Sequence, residues 1–354
     1  MPKRIVISGY YGFANAGDEA VLCGILNSFK LLDMDAEICV LSSNPEYTKS
    51  MHPGISAVNN FNIFEVIKAI KQSDILISGG GSLFQDVTSK RSFFYYLFIL
   101  KLAQFLGKKT VIYAQGIGPL LSKFNKKSLA KAFNKCCIIT VRDEQSKDLL
   151  KDIGVKKTVT VCTDPAFLVE TNFEAASNML EKLGLEKDKF IAVSLRSWKD
   201  TDEWLKEASN AIKVASEKFG LPIVAVPFMK DDVTACKLID GAQLFEYTSD
   251  FKTLKSIICS ARLVVGMRLH SLIFAASESV PFVSFSYDPK VDSFAKSMQI
   301  ESRVKVGETS SLEISKIIVN AISNSEITRQ LLLQQVNQAK QSALIPTEMI
   351  KALK

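Results

Sequence analysis

Three arginines and a histidine stand directly after apolar, β-branched runs. Arg142 follows CIITV at 137–141, Arg196 follows FIAVSL at 190–195, and Arg268, Leu269 and His270 follow RLVVGM at 262–267. A guanidinium fork holds carboxylate or phosphate bidentately, and an imidazole passes protons near neutral pH. One arginine at a strand end usually forms a surface ion pair, whereas three beside one of only two histidines point to an anion site. His270 opens LHSLIFAASES, where its ring either reaches a ligand at the helix start or packs in the core. His52, in MHPG, reads as a loop residue.

A second group sits in the glycine-rich turns. The stretch ISGYYGFANAGDEAVL carries Gly9, Gly12 and Gly17, with Asn15 and Asp18 where a helix begins. Its glycine spacing is not the dinucleotide fingerprint, which argues against a nicotinamide cofactor. Asn15 and Asp18 either orient the hydroxyls of a sugar or, in the case of Asp18, cap the helix. Gly80 and Gly81 lie in GGGSLFQD at 79–86, and Gly116 lies in QGIGP at 115–119. Tight packing alone accounts for one such turn; three on one sheet edge argue for a shared ligand approached closely by backbone.

The elements that carry these residues alternate. Short strand-like runs at 4–8, 36–42, 74–81, 109–116, 137–143 and 158–164 are separated by amphipathic stretches, and the rhythm restarts at 190–196, 222–228, 262–268 and 281–286. This is the signature of βαβ units on parallel sheets. The polar, proline-containing run at 164–178 breaks it and reads as a linker. The expected fold is α/β, with two Rossmann-like domains facing across a cleft: residues 1–168, then 178–324, with a helix at 325–354 packing back on the first domain. Ligands in such sheets sit at the carboxyl ends of the strands, where every candidate above falls.

Composition narrows the function classes. A chain of 354 residues with 47% hydrophobic and 23% charged residues builds two ordinary cores. Seven cysteines without a Cys-x-x-Cys pair, and two histidines, argue for a reducing cytoplasm and against a metal site. The apolar run at the amino terminus is too short for a signal peptide, and the apolar stretch at 93–106 is too short to span a bilayer. The net charge of +7 suits anionic partners, but no nucleic-acid module accompanies it. Lys123, Lys127, Lys131 and Lys135 recur at a spacing of four opposite Leu129, Ala132, Phe133 and Cys136. That ridge is either a solvated face or a contact for anionic lipid head groups at the inner membrane leaflet.

Taken together, SGYYGFANAGDEAVL, ISGGGSLFQD, YAQGIGPL, TVRDEQS, TDPAF, VSLR and GMRLHSLIFAA resemble the polysaccharide pyruvyl transferase family, and within it the bacterial CsaB group. These blocks span most of the chain. The resemblance implies a GT-B-like fold with an acceptor-side first domain and a donor-side second domain. It implies phosphoenolpyruvate as co-substrate, no separate cofactor, and a lipid-linked secondary cell-wall precursor containing N-acetylmannosamine as acceptor. The product is then a 4,6-ketal that anchors surface-layer proteins. The Arg-Leu-His block maps onto Arg268, Leu269 and His270, and an upstream arginine onto Arg142 or Arg196. His270 and Asp18 become the catalytic candidates, and Arg142, Arg196, Arg268, Leu269, Asn15, Gly80, Gly81 and Gly116 the substrate-binding ones. A nucleotide-sugar glycosyltransferase and a non-catalytic carbohydrate-binding protein are the alternatives.

Overall fold

The computed structural model describes residues 2–87, 89–198 and 201–353. It divides into two compact units: residues 1–169 with 339–354, and residues 170–338. Each is a parallel α/β unit.

The first unit contains β1 (Lys3–Ser8), α1 (Ala16–Leu31), β2 (Ala36–Ser42), α2 (Pro45–Met51), β3 (Ser56–Asn59), α3 (Ile63–Gln72), β4 (Ile75–Ser78), β5 (Gly81–Phe84), α4 (Lys90–Phe105), β6 (Lys109–Ile117), α5 (Lys123–Phe133), β7 (Ile138–Val141), α6 (Glu144–Asp152) and β8 (Thr160–Val161). Its strands run in the order β3-β2-β1-β4-β6-β7-β8, with β5 paired to β6. The central strands are apolar on both faces because helices cover both. Val6, Leu76, Ile112 and Ile139 pack beneath α3, α4, α5 and α6. On the opposite face the hydroxyls of Ser28, Tyr113 and Thr347 meet, Ser28 Oγ lying 2.6 Å from Thr347 Oγ1.

The second unit contains α7 (Phe173–Lys182), β9 (Ile191–Ser194), α8 (Asp202–Phe219), β10 (Ile223–Ala225), α9 (Asp232–Cys236), β11 (Ala242–Leu244), α10 (Phe251–Ile258), β12 (Leu263–Gly266), α11 (Leu269–Ser277), β13 (Phe282–Ser286), α12 (Pro289–Ser297), β14 (Arg303–Lys305), α13 (Ser311–Ser323) and the start of α14 (Ser325–Lys351). The strand order is β11-β10-β9-β12-β13-β14, again all parallel. From Ala339 onward, α14 packs with the first unit, where Lys3 Nζ donates to the carbonyls of Ile350 (3.0 Å) and Leu353 (2.8 Å).

Both sheets reverse direction once. After β1 the chain steps outward to β2 and β3, then returns to β4 on the other side of β1; β9 to β12 repeats the pattern. Loops on either side of such a switch point diverge and leave a crevice at the carboxyl edge.

The stretch at 164–178, expected as a linker, holds a 3-10 turn (Pro165–Leu168) and the start of α7. Among the described residues no helix is long and apolar enough to cross a membrane.

Candidate functional site

The switch point of the first sheet gathers Asn15, Asp18, Gly80 and Gly81. The β1 loop ends at Asn15, whose Oδ1 caps α1 by accepting from the Gly17 amide at 3.1 Å. Asp18 stands in the first turn, where the helix dipole favours a carboxylate. Gly81 adopts φ +95°, and a Cβ there would come within 2.9 Å of Asp18 Oδ1, so the β4 turn closes directly onto that carboxylate. Tyr10, Tyr11 and Tyr96 surround it. Burial first, and then the Asp18 charge, hold all three phenols protonated by raising their pKa values.

Several glycines of this edge make room for the protein's own side chains. A Cβ on Gly9 or Gly79 would strike the buried Tyr11 ring or its hydroxyl, and one on Gly80 would strike Val21 at 2.5 Å. Gly116 faces the Arg142 guanidinium, with Nε and Nη2 each at 2.8 Å from the position of a Cβ. Arg142 is turned inward: Nη1 donates to Asp164 Oδ2 at 3.1 Å and Nη2 to Ser82 Oγ at 2.9 Å. Its side chain is only 6% exposed, so it braces the ends of β5, β6 and β7 instead of presenting an open fork. Tyr11 Oη is buried with no hydrogen-bond partner among the described residues, a polar atom aimed at the same glycine turns.

His52 departs from the loop reading. It is buried at the end of α2, with Nε2 lying 3.3 Å from Glu19 Oε2, while Glu19 Oε1 accepts the Gly12 amide at 2.8 Å. This pair ties the first glycine loop to α1 and to the end of α2.

The switch point of the second sheet gathers Arg196, Arg268, Leu269 and His270. Ser194 pairs with Gly266 across β9 and β12, and Arg196 and Arg268 each stand two residues further on. Neighbouring strands thus deliver both arginines to one carboxyl edge of the sheet. Arg268 is the N-cap residue of α11, with no side-chain cap bond. Its Nε donates to Asp232 Oδ2 at 2.9 Å and its Nη2 to Asp232 Oδ1, while Nη1 makes no hydrogen bond among the described residues. Asp232 is itself held by the amides of Phe228 (3.2 Å) and Met229 (3.0 Å).

His270 follows in the first turn of α11, half-buried, and Leu269 is buried in the core. The helix can start this close to β12 because Gly266 has no side chain: a Cβ would meet Ser271 Oγ at 2.5 Å. Arg196 lies against two rings, 5.4 Å from the Trp198 centroid and 5.3 Å from that of Tyr287, and its Nη1 donates to Tyr287 Oη at 3.3 Å. The hydroxyls of Ser194 and Ser284, on either side of Gly266, are buried without partners among the described residues. Cys236, beside this group, is no nucleophile: burial and the Asp232 charge push its thiol up to about 12.

This edge carries His270 together with two arginines and the rings of Trp198 and Tyr287. A sequence model of the polysaccharide pyruvyl transferases matches residues 15–289, which include every candidate position above. The chain belongs to the polysaccharide pyruvyl transferase family. As a member of this family it is a transferase. It is 23% identical over 353 residues to the amylovoran biosynthesis protein AmsJ of Erwinia amylovora, covering 81% of this chain and 84% of that protein. The fold of this transferase is shared with a putative UDP-N-acetylglucosamine 2-epimerase of Listeria monocytogenes, at TM-score 0.70, 12% identity and coverage of 99% and 96%. HepE of Anabaena, solved in complex with UDP and glucose, matches at TM-score 0.62, 11% identity and coverage of 98% of both chains. These two likenesses place the chain among two-domain Rossmann-like proteins of the GT-B type.

Asp232, Trp198, Tyr287 and the Glu19–His52 pair were not among the sequence candidates. Only Trp198 carried a signal, as one of two tryptophans and close behind Arg196. The others reach their edges through the fold: Asp232 from the start of α9, Tyr287 from the turn after β13 and His52 from the end of α2, where it meets Glu19 of α1.

Proposed function

We propose that the protein transfers the pyruvyl group of phosphoenolpyruvate to two hydroxyls of one sugar, forming a cyclic ketal and releasing phosphate. The observation that supports this most is the edge of β9 and β12, where His270 stands in the first turn of a helix flanked by Arg196 and the Asp232-anchored Arg268. Phosphoenolpyruvate carries a carboxylate and a phosphate on one carbon, so it calls for two cations at one place.

The chemistry then follows from the residues. His270 delivers a proton to the methylene carbon, and positive charge develops on the carbon that bears the phosphate. One sugar hydroxyl attacks that carbon; the phosphate leaves, its negative charge met by Arg196 and Arg268; the second hydroxyl attacks and closes the ketal. Of the two hydroxyl protons, one replaces that given to the methyl group and the other leaves with phosphate, so the reaction consumes no further reagent. In this reading Asn15, Asp18 and Gly81 form a sugar-binding edge of the first unit, and Arg142 positions Ser82 and the Gly116 backbone. The acceptor implied by the family resemblance is the N-acetylmannosamine 4,6-diol of a lipid-linked secondary cell-wall precursor, reached from the cytoplasmic side. Its ketal is then the anchor for surface-layer proteins.

A ligand that binds only the folded protein raises its melting temperature. Phosphoenolpyruvate is therefore expected to stabilise the protein, and Arg268→Ala to abolish the shift. Stabilisation by nucleotide sugars alone would instead support a glycosyltransferase, and by free glycan alone a carbohydrate-binding protein.

A further inference from the structure

We infer that the outer face of α4 and α5 docks the first unit onto an anionic phospholipid bilayer. The charge distribution carries the argument furthest. Lys90, Arg91 and Lys101 in α4 and Lys123, Lys126, Lys127 and Lys131 in α5 are cations, and neither helix contains a carboxylate. These two helices account for the whole net charge of +7, leaving the remaining chain balanced. A field of one sign concentrated on two neighbouring helices is a footprint for a surface of the opposite sign.

The same face is apolar in a way that charge alone does not explain. In α4 the exposed positions are Lys90, Arg91, Phe94, Phe98, Lys101 and Phe105, and from Arg91 onward they form one stripe at helical spacing. Phe94, Phe98 and Phe105 are 45%, 48% and 87% exposed. Beside them, Leu121 and Phe124 are 73% and 68% exposed. The turn that leads from Leu121 into α5 is pinned: the buried Asp86 carboxylate accepts the amides of Leu121 (2.7 Å) and Ser122 (3.0 Å) and the side-chain amide of Asn125 (2.9 Å).

Holding large apolar side chains in water is unfavourable unless something covers them. Phenylalanines interleaved with lysine and arginine on one helix face are the composition of a helix lying in a membrane interface, its rings in the acyl boundary and its cations at the phosphates. Lys123, Lys126, Lys127 and Lys131 also line a groove of about 530 Å³ between α5 and α6, with Leu149, Ile153 and Asp152. Three lysines of the ridge expected from sequence, Lys123, Lys127 and Lys131, belong to this face; Lys135 lies beyond the end of α5. The inference is independent of the donor and of the reaction.

Sedimentation with vesicles tests it without any turnover. The protein is expected to bind phosphatidylglycerol-containing vesicles, to ignore pure phosphatidylcholine, and to lose affinity as salt rises. Lys127→Glu with Lys131→Glu should weaken binding at least tenfold, since each basic residue near an anionic surface is worth about a factor of five. Phe94→Ser with Phe98→Ser should weaken it at least tenfold even at low salt, with an unchanged melting temperature. Wild-type binding by the phenylalanine variant would overturn the inference, as would equal binding to neutral vesicles or none to either. So would a dimer in light scattering that the phenylalanine variant splits, because the stripe would then cover a second copy. None of these outcomes bears on phosphoenolpyruvate binding.

Discussion

Asp232 fixes one guanidinium at the edge of the second sheet. It grips the Nε and Nη2 edge of Arg268 and is itself held by two backbone amides, so the guanidinium is fixed with Nη1 turned away from it. Asp232→Asn should loosen that fork and weaken phosphoenolpyruvate binding about tenfold, measured by calorimetry. Arg268→Lys should not restore binding lost in Arg268→Ala, because an ammonium cannot be gripped and still present a second edge. His270→Gln should differ from both. If the imidazole carries the proton, turnover falls at least about a hundredfold while the melting temperature and the donor affinity stay near wild type. Early melting with near-normal specific activity would return His270 to a packing role.

At the scale of the elements, Asp86 shows how the fold builds a surface loop. Burial raises its pKa, but the amides of Leu121 and Ser122, then Asn125, outweigh that and hold the carboxyl below its usual range. A depressed folded pKa contributes stability above the unfolded value of about 3.9, and that stability is lost as pH falls through the lower folded value. Asp86→Ala should therefore cost roughly 2–3 kcal/mol at neutral pH in urea unfolding. The gap between variant and wild type should narrow as pH falls below about 4, through the depressed folded value.

The long apolar strands β1, β2, β6 and β9 were legible because a run buried on both faces has few polar residues. Short edge strands were not: β3 (SAVN), β11 (AQL) and β14 (RVK) have no apolar run to announce them, and β5 hides inside GGGSLF. The glycine turns were legible as tight places, but not what fills them. Nothing near Gly116 in the chain signals that Arg142 will lie against it, and nothing near His52 signals Glu19. Such partners are chosen by strand order, which alternation alone leaves open. Arg196, Arg268 and His270 were found because residues just past parallel strands all reach one edge; Asp232, arriving from the β10 side, escaped the same reasoning.

For the molecule as a whole, family membership makes the chain a transferase, and the identity of the proposed donor is what one assay can decide. The most direct measurement incubates the protein with phosphoenolpyruvate and a synthetic lipid-linked disaccharide containing N-acetylmannosamine, following inorganic phosphate and the mass of the acceptor together. With phosphoenolpyruvate as donor, the expected result is one phosphate released per acceptor converted, with the acceptor heavier by one pyruvate less one water, and conversion slowed at least about a hundredfold by His270→Gln. An acceptor left unchanged by phosphoenolpyruvate but glycosylated from a nucleotide sugar by the same protein would contradict it.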